Sequence, residues 1–304
     1  MSIGGEKAPA GQSRTGQNQS DWLPDLTQAR KAFNRAADSY DEFAVLQQEV
    51  QSRTLQRLEP MILTPKRVLD LGCGTGHGVQ KLAKRFPKAQ VVGGDFAEQM
   101  VRKARVRQRW WKKRRYAVLD AHRLPFSDGS FDLIYSSLTL QWCMDIDQVF
   151  AECKRVLRPG GLMMFSSLGP DTLHELRQAS TEVDGSSRVN LFLDMHDVGD
   201  AMVRAGFEAP ILDLERIVTT YETVRDLAHD LKGIGAHNVT AGRQRGMTSR
   251  QRWRRLNEAY EQFRQDGRLP ASWEVYYAHG WRPEQSRQMT SGSREVPIQW
   301  YPKS

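Results

Sequence analysis

The chain has 304 residues, 39% of them hydrophobic and 26% charged; this is typical of a globular protein, and no window approaches the roughly 18 consecutive apolar residues that a membrane span needs. The net charge of +8 comes from one segment, RKARVRQRWWKKRR (102–115), which holds nine of the 44 basic residues. The other 35 basic residues are balanced by 36 acidic ones. This distribution argues against a nucleic-acid-binding face spread over the surface. The three cysteines form no CxxC pair, so we expect neither a disulfide framework nor a zinc site, and predict a reduced, cytoplasmic protein.

The N-terminal residues MSIGGEKAPAGQSRTGQNQS lack the apolar core of a secretory signal and the Arg-rich amphipathic pattern of a transit peptide. We predict a disordered N-terminal tail over 1–24 and a C-terminal tail over 283–304. Residues 25–60 carry apolar side chains at helical spacing and are predicted to form a helical cap with a break near Asp38. The remaining residues, 61–282, are predicted to form one domain.

Strands and helices alternate along this domain. Short apolar runs predict strands at 66–71, 89–95, 116–120, 131–137 and 162–168, with helices at 77–86, 98–110 and 145–157 and a Pro-Gly-Gly turn at 158–161. The later pattern predicts a helix at 194–205, a sixth strand within 205–221 and a last strand at 273–282, with lid segments at 170–193 and 222–270. Because the strands are continuously apolar and joined by helices, we predict a Rossmann-like α/β fold: a seven-stranded, mostly parallel sheet with helices on both faces.

The stretch LDLGCGTG (69–76) runs from the first predicted strand into a turn with glycines at Gly72, Gly74 and Gly76. Glycines allow a tight turn and let backbone N–H groups approach a ligand closely. Asp95 ends the second strand, where an acid can bind both hydroxyls of a ribose. This part of the pattern is shared with NAD-dependent enzymes, and a glycine-rich turn alone is weak evidence.

Three features favour S-adenosylmethionine over a dinucleotide. The glycine spacing is the compact GxGxG rather than the GxGxxG that suits a pyrophosphate. Asp70, next to the turn, suits a ligand with an ammonium group and would repel a diphosphate. Asp120, at the end of the third strand, is placed to accept a hydrogen bond from an adenine amine.

Four successive motifs, VLDLGCGTG, GGDFAEQM, DAHRLPFSDGSFDLIYSSLTLQW and RVLRPGG, resemble those of class I S-adenosylmethionine-dependent methyltransferases over about residues 66–168. The resemblance implies this cofactor, S-adenosylhomocysteine as product, and further cofactor contacts from Phe96, Met100, Ala121 and Ser137. A nucleotide-binding dehydrogenase or a non-catalytic Rossmann domain is the alternative interpretation.

The flanking segments narrow the resemblance. FNRAADSYDEFAVLQQEV (33–50), LQWCMDIDQVF (140–150), GPDTLHELR (169–177), LKGIGAHNVTAGR (231–243) and WEVYYAHGW (273–281) together resemble the malonyl-acyl-carrier protein O-methyltransferases of biotin synthesis, over about residues 30–282. That family esterifies the free carboxylate of a malonyl thioester so that it can be elongated toward a pimeloyl chain. The resemblance implies a lid over the cofactor that includes Tyr40 and Gln47; simple packing of this helix onto the domain is the alternative.

A carboxylate is already an anionic nucleophile at pH 7, so its methylation needs no general base, only a cation to hold it and exclusion of water. Arg243 is our first choice for that cation, although a solvated surface arginine would look the same in sequence. Tyr40 and Trp142 are predicted to line the methyl-transfer site; a buried structural role is the alternative for Trp142. Further substrate or carrier-protein contacts are predicted from basic residues of the insertion: Lys232, His237, Arg250, Arg252, Arg254 and Arg255.

Strand-to-helix loops lie at the ligand-binding edge of an open α/β sheet, and helix-to-strand loops at the opposite edge. Segment 107–115 should therefore lie mostly away from the cofactor with its charges solvated, whereas the arginines of 245–255 should lie over the site and meet an acidic acyl-carrier protein. No nucleic-acid or membrane partner is expected. Two rival functions are an arginine hydroxylase of the type that acts in assembly of respiratory complex I, and a nucleic-acid-binding protein that uses 102–115.

Overall fold

The computed structural model describes residues 25–108, 114–185, 187, 189–236 and 249–284. The predicted N-terminal tail, nearly all of the predicted C-terminal tail, His237 and Arg243 lie outside these residues.

Helices and strands alternate as expected in the first two thirds of the chain. The helices are α1 (Leu26–Ala36), α2 (Tyr40–Phe43), α3 (Val45–Gln56), α4 (His77–Arg85), α5 (Glu98–Arg107), α6 (Ile146–Val156), α7 (His174–Asp184), α8 (Met195–Arg204), α9 (Val224–Gly233) and α10 (Arg250–Tyr260). The strands are β1 (Arg67–Leu71), β2 (Gln90–Asp95), β3 (Arg115–Val118), β4 (Phe131–Ser137), β5 (Leu157–Leu168), β6 (Glu208–Tyr221) and β7 (Leu269–Trp281). Among the described residues, none of the helices has the length and apolar character needed to cross a bilayer.

The seven strands form one sheet in the order β3-β2-β1-β4-β5-β7-β6. β1 to β5 pair in parallel, and β7 is antiparallel to both of its neighbours, β5 and β6. This confirms the predicted seven-stranded, mostly parallel sheet. Because β7 is reversed, the connection from β6 into β7 leaves the sheet at the carboxyl edge, so α9 and α10 lie at the same edge as the turn after β1.

Apolar side chains cover both faces of the sheet. On one face α6 and α8 pack through Phe150, Val198 and Met202 onto strand residues such as Phe165 and Tyr276. A second cluster joins the lid helices to the carboxyl edge: Leu256 and Tyr260 of α10 pack with Leu176 of α7, Trp273 of β7 and Leu138 after β4. The lid is therefore continuous with the core.

The prediction of a turn at 158–161 is wrong. These residues belong to the long strand β5, where the β4–β5 register shifts between Phe131 and Leu133. Gly160 has a φ of +71°, and its N–H donates to the carbonyl of Arg282, while the N–H of Arg282 donates to the carbonyl of Gly161. Pairing with the chain beyond β7 thus turns a local turn signal into a bulge.

Other differences concern element bounds. The predicted helix at 98–110 ends at Arg107, the third strand begins one residue earlier than predicted and ends at Val118, and β7 begins at Leu269 rather than at residue 273. The cap is interrupted near Asp38 as expected, and a second interruption at Ala44 divides it into three helices.

Two glycines of the lid explain how the cap and lid lie so close together. A Cβ on Gly233 would overlap the ring of Phe43, and one on Gly235, whose φ is +71°, would press on the backbone of Ala32. The hydroxyl of Ser39 also lies within hydrogen-bond distance of the Gly233 carbonyl, at 3.4 Å. The α1–α2 part of the cap is therefore held between α9 on one side and α5 on the other.

The basic segment is placed partly as predicted. Arg105, Arg114 and Arg115 line a cavity of about 630 Å³ with Arg67 and Gln90. Arg67, Gln90 and Arg115 are the first residues of their strands, so this cavity lies at the amino edge, away from the glycine turn.

The expectation that these charges are solvated is wrong for Arg107, whose side chain is 29% exposed and forms an ion pair with Asp41. Lys103, earlier in α5, stays half-exposed, and its Nζ lies 2.6 Å from the exposed carboxylate of Asp38. The cap therefore provides acidic partners for part of the segment.

Candidate active site

A cavity of about 410 Å³ opens at the carboxyl edge of the sheet, between the loops that follow β1 to β4 and helix α1. It is lined by Leu26, Thr27 and Arg30 of α1, by Leu71 and Gly72 at the end of β1, by Asp95 and Phe96 at the end of β2, by residues 118–122 at the end of β3 and beyond it, and by Thr139, Trp142 and Cys143 after β4. Of the predicted cofactor residues, Gly72, Asp95, Phe96, Asp120 and Ala121 lie on its wall, as does the predicted Trp142.

The glycine turn is bound tightly to the end of β2. The N–H groups of Gly72 and Cys73 both donate to the carbonyl of Gly94, at 2.7 and 2.9 Å. Gly72 has a φ of +77°, and an added Cβ would overlap the side chain of Thr139. Glycine is required here both by conformation and by the close approach of the loop after β4. Gly76, with a φ of +89°, immediately precedes α4.

Asp95 is a buried acid fixed from both sides. Its Oδ2 accepts a hydrogen bond from Gly74 N–H at 2.9 Å, and its Oδ1 accepts one from Ala97 N–H at 2.8 Å. Burial raises the pKa of Asp95 to about 6, although hydrogen bonds from backbone N–H groups oppose this shift. Each oxygen keeps a lone pair, so the carboxylate suits a pair of neighbouring hydroxyls such as those of a ribose.

Asp120 is oriented by a neighbouring imidazole. Its Oδ1 accepts hydrogen bonds from the His122 N–H at 2.9 Å and from His122 Nδ1 at 2.7 Å, while Asp145 N–H donates to His122 Nε2 at 3.4 Å. Desolvation would raise the pKa of Asp120, but the hydrogen bonds from His122 and the charge of Arg30 lower it below its usual value. Oδ2 is left for a ligand, as an adenine amine would require. Sequence reasoning did not assign His122 to the site.

Aromatic side chains wall the cavity near Asp95. The Phe33 ring lies edge-on to those of Phe96 and Trp142, with centroids 5.7 and 5.2 Å apart. Tyr40 packs beside Phe33 and Phe96. Burial raises the pKa of its phenol, and the nearby charges of Asp95 and Asp41 raise it further. Tyr40 therefore stays protonated close to the predicted ribose site.

Two predicted cofactor residues, Met100 and Ser137, do not line this cavity. Met100 is buried against Ala37 and Ala97, so it joins α5 to the cap rather than lining the cavity. The Ser137 hydroxyl, at the carboxyl end of β4, lies 3.3 Å from the hydroxyl of Ser166.

Asp70 lies beneath the glycine turn, outside the cavity wall. Its Oδ2 is buried without a hydrogen-bond partner, close enough to Gly78 to overlap any added Cβ. Burial, and then the charge of Asp95, raise the pKa of Asp70 to about 8 despite a hydrogen bond from the N–H of Val79.

Two glutamines of α3 also have unsatisfied side-chain oxygens. Gln47 Oε1 and Gln51 Oε1 are also buried without partners. The residues are one helical turn apart, and Gln51 Nε2 reaches the same Gly78 that Asp70 approaches. The Tyr135 hydroxyl fixes this turn of α3 by donating to the Gln51 carbonyl at 3.0 Å.

The unpartnered Oδ2 of Asp70, with Gln51 beside it, suits the ammonium group at the amino-acid end of S-adenosylmethionine, which has three N–H donors. The described residues thus fit both ends of the expected cofactor. The sequence signal for Gln51, which we had not assigned, is its spacing of four residues from Gln47.

The cavity wall also carries a cysteine, which is not activated as a nucleophile. Cys143 lines the cavity, but burial and then the charge of Asp120 raise the pKa of its thiol to about 12. Within the described ranges, no group of three or more His, Cys, Asp and Glu side chains is placed to hold a metal ion.

The predicted basic residues of the lid differ in their surroundings. Lys232, Arg250, Arg254 and Arg255 are exposed on the lid helices. Arg252 instead forms an ion pair with Asp184, which joins α10 to the end of α7 with an N–O distance of 2.7 Å.

Arg177 of α7 is a cation that sequence reasoning missed. Burial lowers the pKa of its half-buried guanidinium, whose Nε has no hydrogen-bond partner in the structure. One terminal nitrogen donates to the Thr172 carbonyl at 3.2 Å. It lies after β5, at the same edge as the cavity.

Comparisons with known proteins identify relatives of the whole chain. A family model described as a methyltransferase domain matches residues 69–165. A malonyl-acyl-carrier protein O-methyltransferase of Laribacter hongkongensis is 48% identical over 287 residues, covering 91% of this chain and 96% of that protein. One of Gallionella capsiferriformans is 49% identical over 269 residues, covering 86% and 93%.

Solved structures share the fold at low identity. The YcgJ protein of Bacillus subtilis matches with a TM-score of 0.55 and 19% identity, over 78% of this chain and 100% of that one. A phosphoethanolamine N-methyltransferase 2 of Haemonchus contortus, solved with S-adenosyl-L-methionine, matches with a TM-score of 0.54 and 22% identity, over 82% and 57%.

The raised pKa of Asp70 predicts pH-dependent ligand binding. Below about pH 8 the ligand-free carboxyl is protonated, and an ammonium group favours its ionised form, so binding must release a proton. We expect the affinity for S-adenosylhomocysteine to rise from about pH 6.5 to about pH 8, by at most about tenfold per pH unit. Calorimetry in buffers of different ionisation enthalpy measures both quantities. Asp70→Asn should bind weakly with little pH dependence; a flat profile for the unaltered protein would contradict this assignment.

His122 should act on affinity through Asp120. We expect His122→Phe to weaken S-adenosylhomocysteine binding by about five- to tenfold, as loss of one oriented hydrogen bond does. Binding of the deaminated analogue S-inosylhomocysteine should not change, because it lacks the amine that Asp120 would recognise. Equal losses for both ligands would show that His122 supports only the loop.

Proposed function

The chain belongs to the malonyl-acyl-carrier protein O-methyltransferase family, and on that premise we propose that it transfers a methyl group from S-adenosylmethionine to the free carboxylate of malonyl-acyl-carrier protein. The observation that carries the proposal is similarity at 48% identity across 91% of the chain and 96% of the relative. The products are the malonyl methyl ester and S-adenosylhomocysteine. We place the reaction in biotin synthesis, where the ester removes a charge that would prevent elongation.

The cofactor, when bound, supplies an electrophilic methyl group on a sulfonium. The chain's residues bind and orient: Asp95 takes the ribose hydroxyls, Asp120 the adenine amine, and Asp70 with the two α3 glutamines the ammonium. No side chain needs to remove a proton, because the malonyl carboxylate is ionised at neutral pH. Catalysis then rests on alignment and on exclusion of water.

Water exclusion falls to the cap and the aromatic wall. Helix α1 contributes Leu26, Thr27 and Arg30 to the cavity, and Phe33 of the same helix packs on Phe96 and Trp142. The cap and the domain body thus enclose the cavity together. Tyr40 and Trp142 remain our predicted neighbours of the transferred methyl group.

The carrier protein is proposed to meet the lid helices. Acyl-carrier proteins are acidic, and Arg250, Arg254 and Arg255 are exposed on α10, at the edge where the cavity opens. Arg252 is excluded from this surface because it joins α10 to α7 through Asp184. Arg243 stays the predicted partner of the malonyl carboxylate, and Arg177 is the described alternative because its guanidinium is desolvated.

The two rival functions have less support. Relatives at 48% and 49% identity carry the methyltransferase name, which leaves the arginine-hydroxylase alternative without support. A nucleic-acid-binding role for 102–115 is disfavoured because Lys103 and Arg107 are paired with acids of the cap.

A labelled-methyl assay tests the reaction. We expect methyl transfer from S-adenosylmethionine to malonyl-acyl-carrier protein, with a base-labile ester as product, and none to free malonate or acetyl-acyl-carrier protein. Absence of a labelled ester on the malonyl thioester, in a preparation that binds S-adenosylhomocysteine, would reject the proposed substrate. Growth of a biotin-requiring methyltransferase mutant on expression of this chain tests the pathway.

The docking surface is tested by neutralising α10. Replacing Arg250, Arg254 and Arg255 by Gln should raise the KM for malonyl-acyl-carrier protein about tenfold and weaken its salt dependence, because electrostatic steering is lost. The matched control replaces Arg105, Arg114 and Arg115 of the amino edge, with the same charge change, and should leave this KM within twofold. The reverse pattern would place the carrier protein at the other edge.

A further inference from the structure

The cap lies along α5 in matching register. The side chain of Asn34 accepts a hydrogen bond from the Gln99 N–H at 2.9 Å, and Asp38 pairs with Lys103 at 2.6 Å. Asp41 then pairs with Arg107. Successive polar residues of the cap thus meet successive turns of α5, so the two segments run in the same direction.

Asp41 ends this series with contacts to three parts of the domain. Its Oδ1 accepts a hydrogen bond from the Thr75 hydroxyl at 2.5 Å and lies 3.3 Å from His77 Nε2. Its Oδ2 accepts from the guanidinium of Arg107, whose Nε donates to the Thr75 carbonyl at 3.0 Å. One carboxylate therefore joins the cap to the glycine turn, the start of α4 and the end of α5.

The neighbours of Asp41 connect this contact to the cofactor site. Tyr40 packs against the wall near Asp95, while Thr75 lies between Gly74, which binds Asp95, and Gly76. Release of Asp41 would therefore free both Tyr40 and one side of the turn. The pair is about two-thirds covered, with side-chain exposures of 29% for Arg107 and 35% for Asp41, so solvent screens it only partly.

We propose that Asp41 and Arg107 form a latch that holds the N-terminal cap closed over the cofactor site, with Asp41 as a positioning residue for cofactor binding. The inference rests on the proposed function only in assuming that the cavity binds S-adenosylmethionine. It assigns a role to the beginning of the basic segment: Lys103 and Arg107 are the docking partners of the cap. Neither latch residue lines the cavity, so we expect them to affect cofactor retention rather than the chemical step.

A double-mutant cycle tests the latch by binding of S-adenosylhomocysteine, which requires no carrier protein. Asp41→Asn and Arg107→Gln should each raise the Kd about tenfold or more, in the range expected when a hydrogen-bonded charge loses its partner. The double variant should be little worse than either single one, because both remove the same contact. The matched control is Arg102→Gln, whose partner Glu98 lies on the same helix, and it should leave the Kd within twofold.

Two further readouts separate a latch from a general stabilising contact. In the ligand-free variants, amides of 26–43 should exchange with deuterium faster, while those of the β1 and β4 core strands should not. In methyl transfer, the KM for S-adenosylmethionine should rise while kcat at saturating cofactor stays within twofold.

Three outcomes would overturn the proposal. They are an unchanged Kd in both single variants, Kd effects that simply add in the double variant, and faster exchange spread through the core strands. A different outcome concerns the substrate alone. If the unaltered protein binds S-adenosylhomocysteine but transfers no methyl group to malonyl-acyl-carrier protein, the proposed substrate is rejected and the latch is still supported by the binding data.

Discussion

The buried carboxylate of Asp95 is the interaction on which the rest of the site depends. Its two oxygens accept hydrogen bonds from Gly74 and Ala97, and so they join the turn after β1 to the beginning of the helix after β2. Because β1 and β2 are adjacent and parallel, both loops leave the sheet at one edge. The acid that is expected to bind the ribose also builds the turn on which the ligand rests.

Close packing of small residues decides how the cap and lid cover this edge. Gly72 admits Thr139, and Gly233 and Gly235 admit Phe43 and the backbone of α1. Side chains at these positions would separate layers that must meet to exclude water. The glycines of the LKGIGA motif thus act in assembling the cover, a role independent of any direct contact with substrate.

Electrostatics divides the basic segment between the two edges of the sheet. Arg105, Arg114 and Arg115 surround the amino-edge cavity, whereas Lys103 and Arg107 turn toward acids of the cap. Lys103 and Arg107 of the basic segment therefore need no external binding partner to explain them. They provide the surface onto which the cap folds.

The sequence by itself determined the alternation of elements, the glycine turn, and the acids at the ends of the first three strands, since these follow from local apolar runs and turn chemistry. It could not show that the turn at 158–161 becomes a bulge, because that depends on pairing with Arg282, over a hundred residues away in the chain. The convergence of Gln51 with Asp70 and the pairing of Asp41 with Arg107 were decided only by tertiary structure. Each joins side chains from different elements, and their burial and distance arise from packing, which no local pattern encodes.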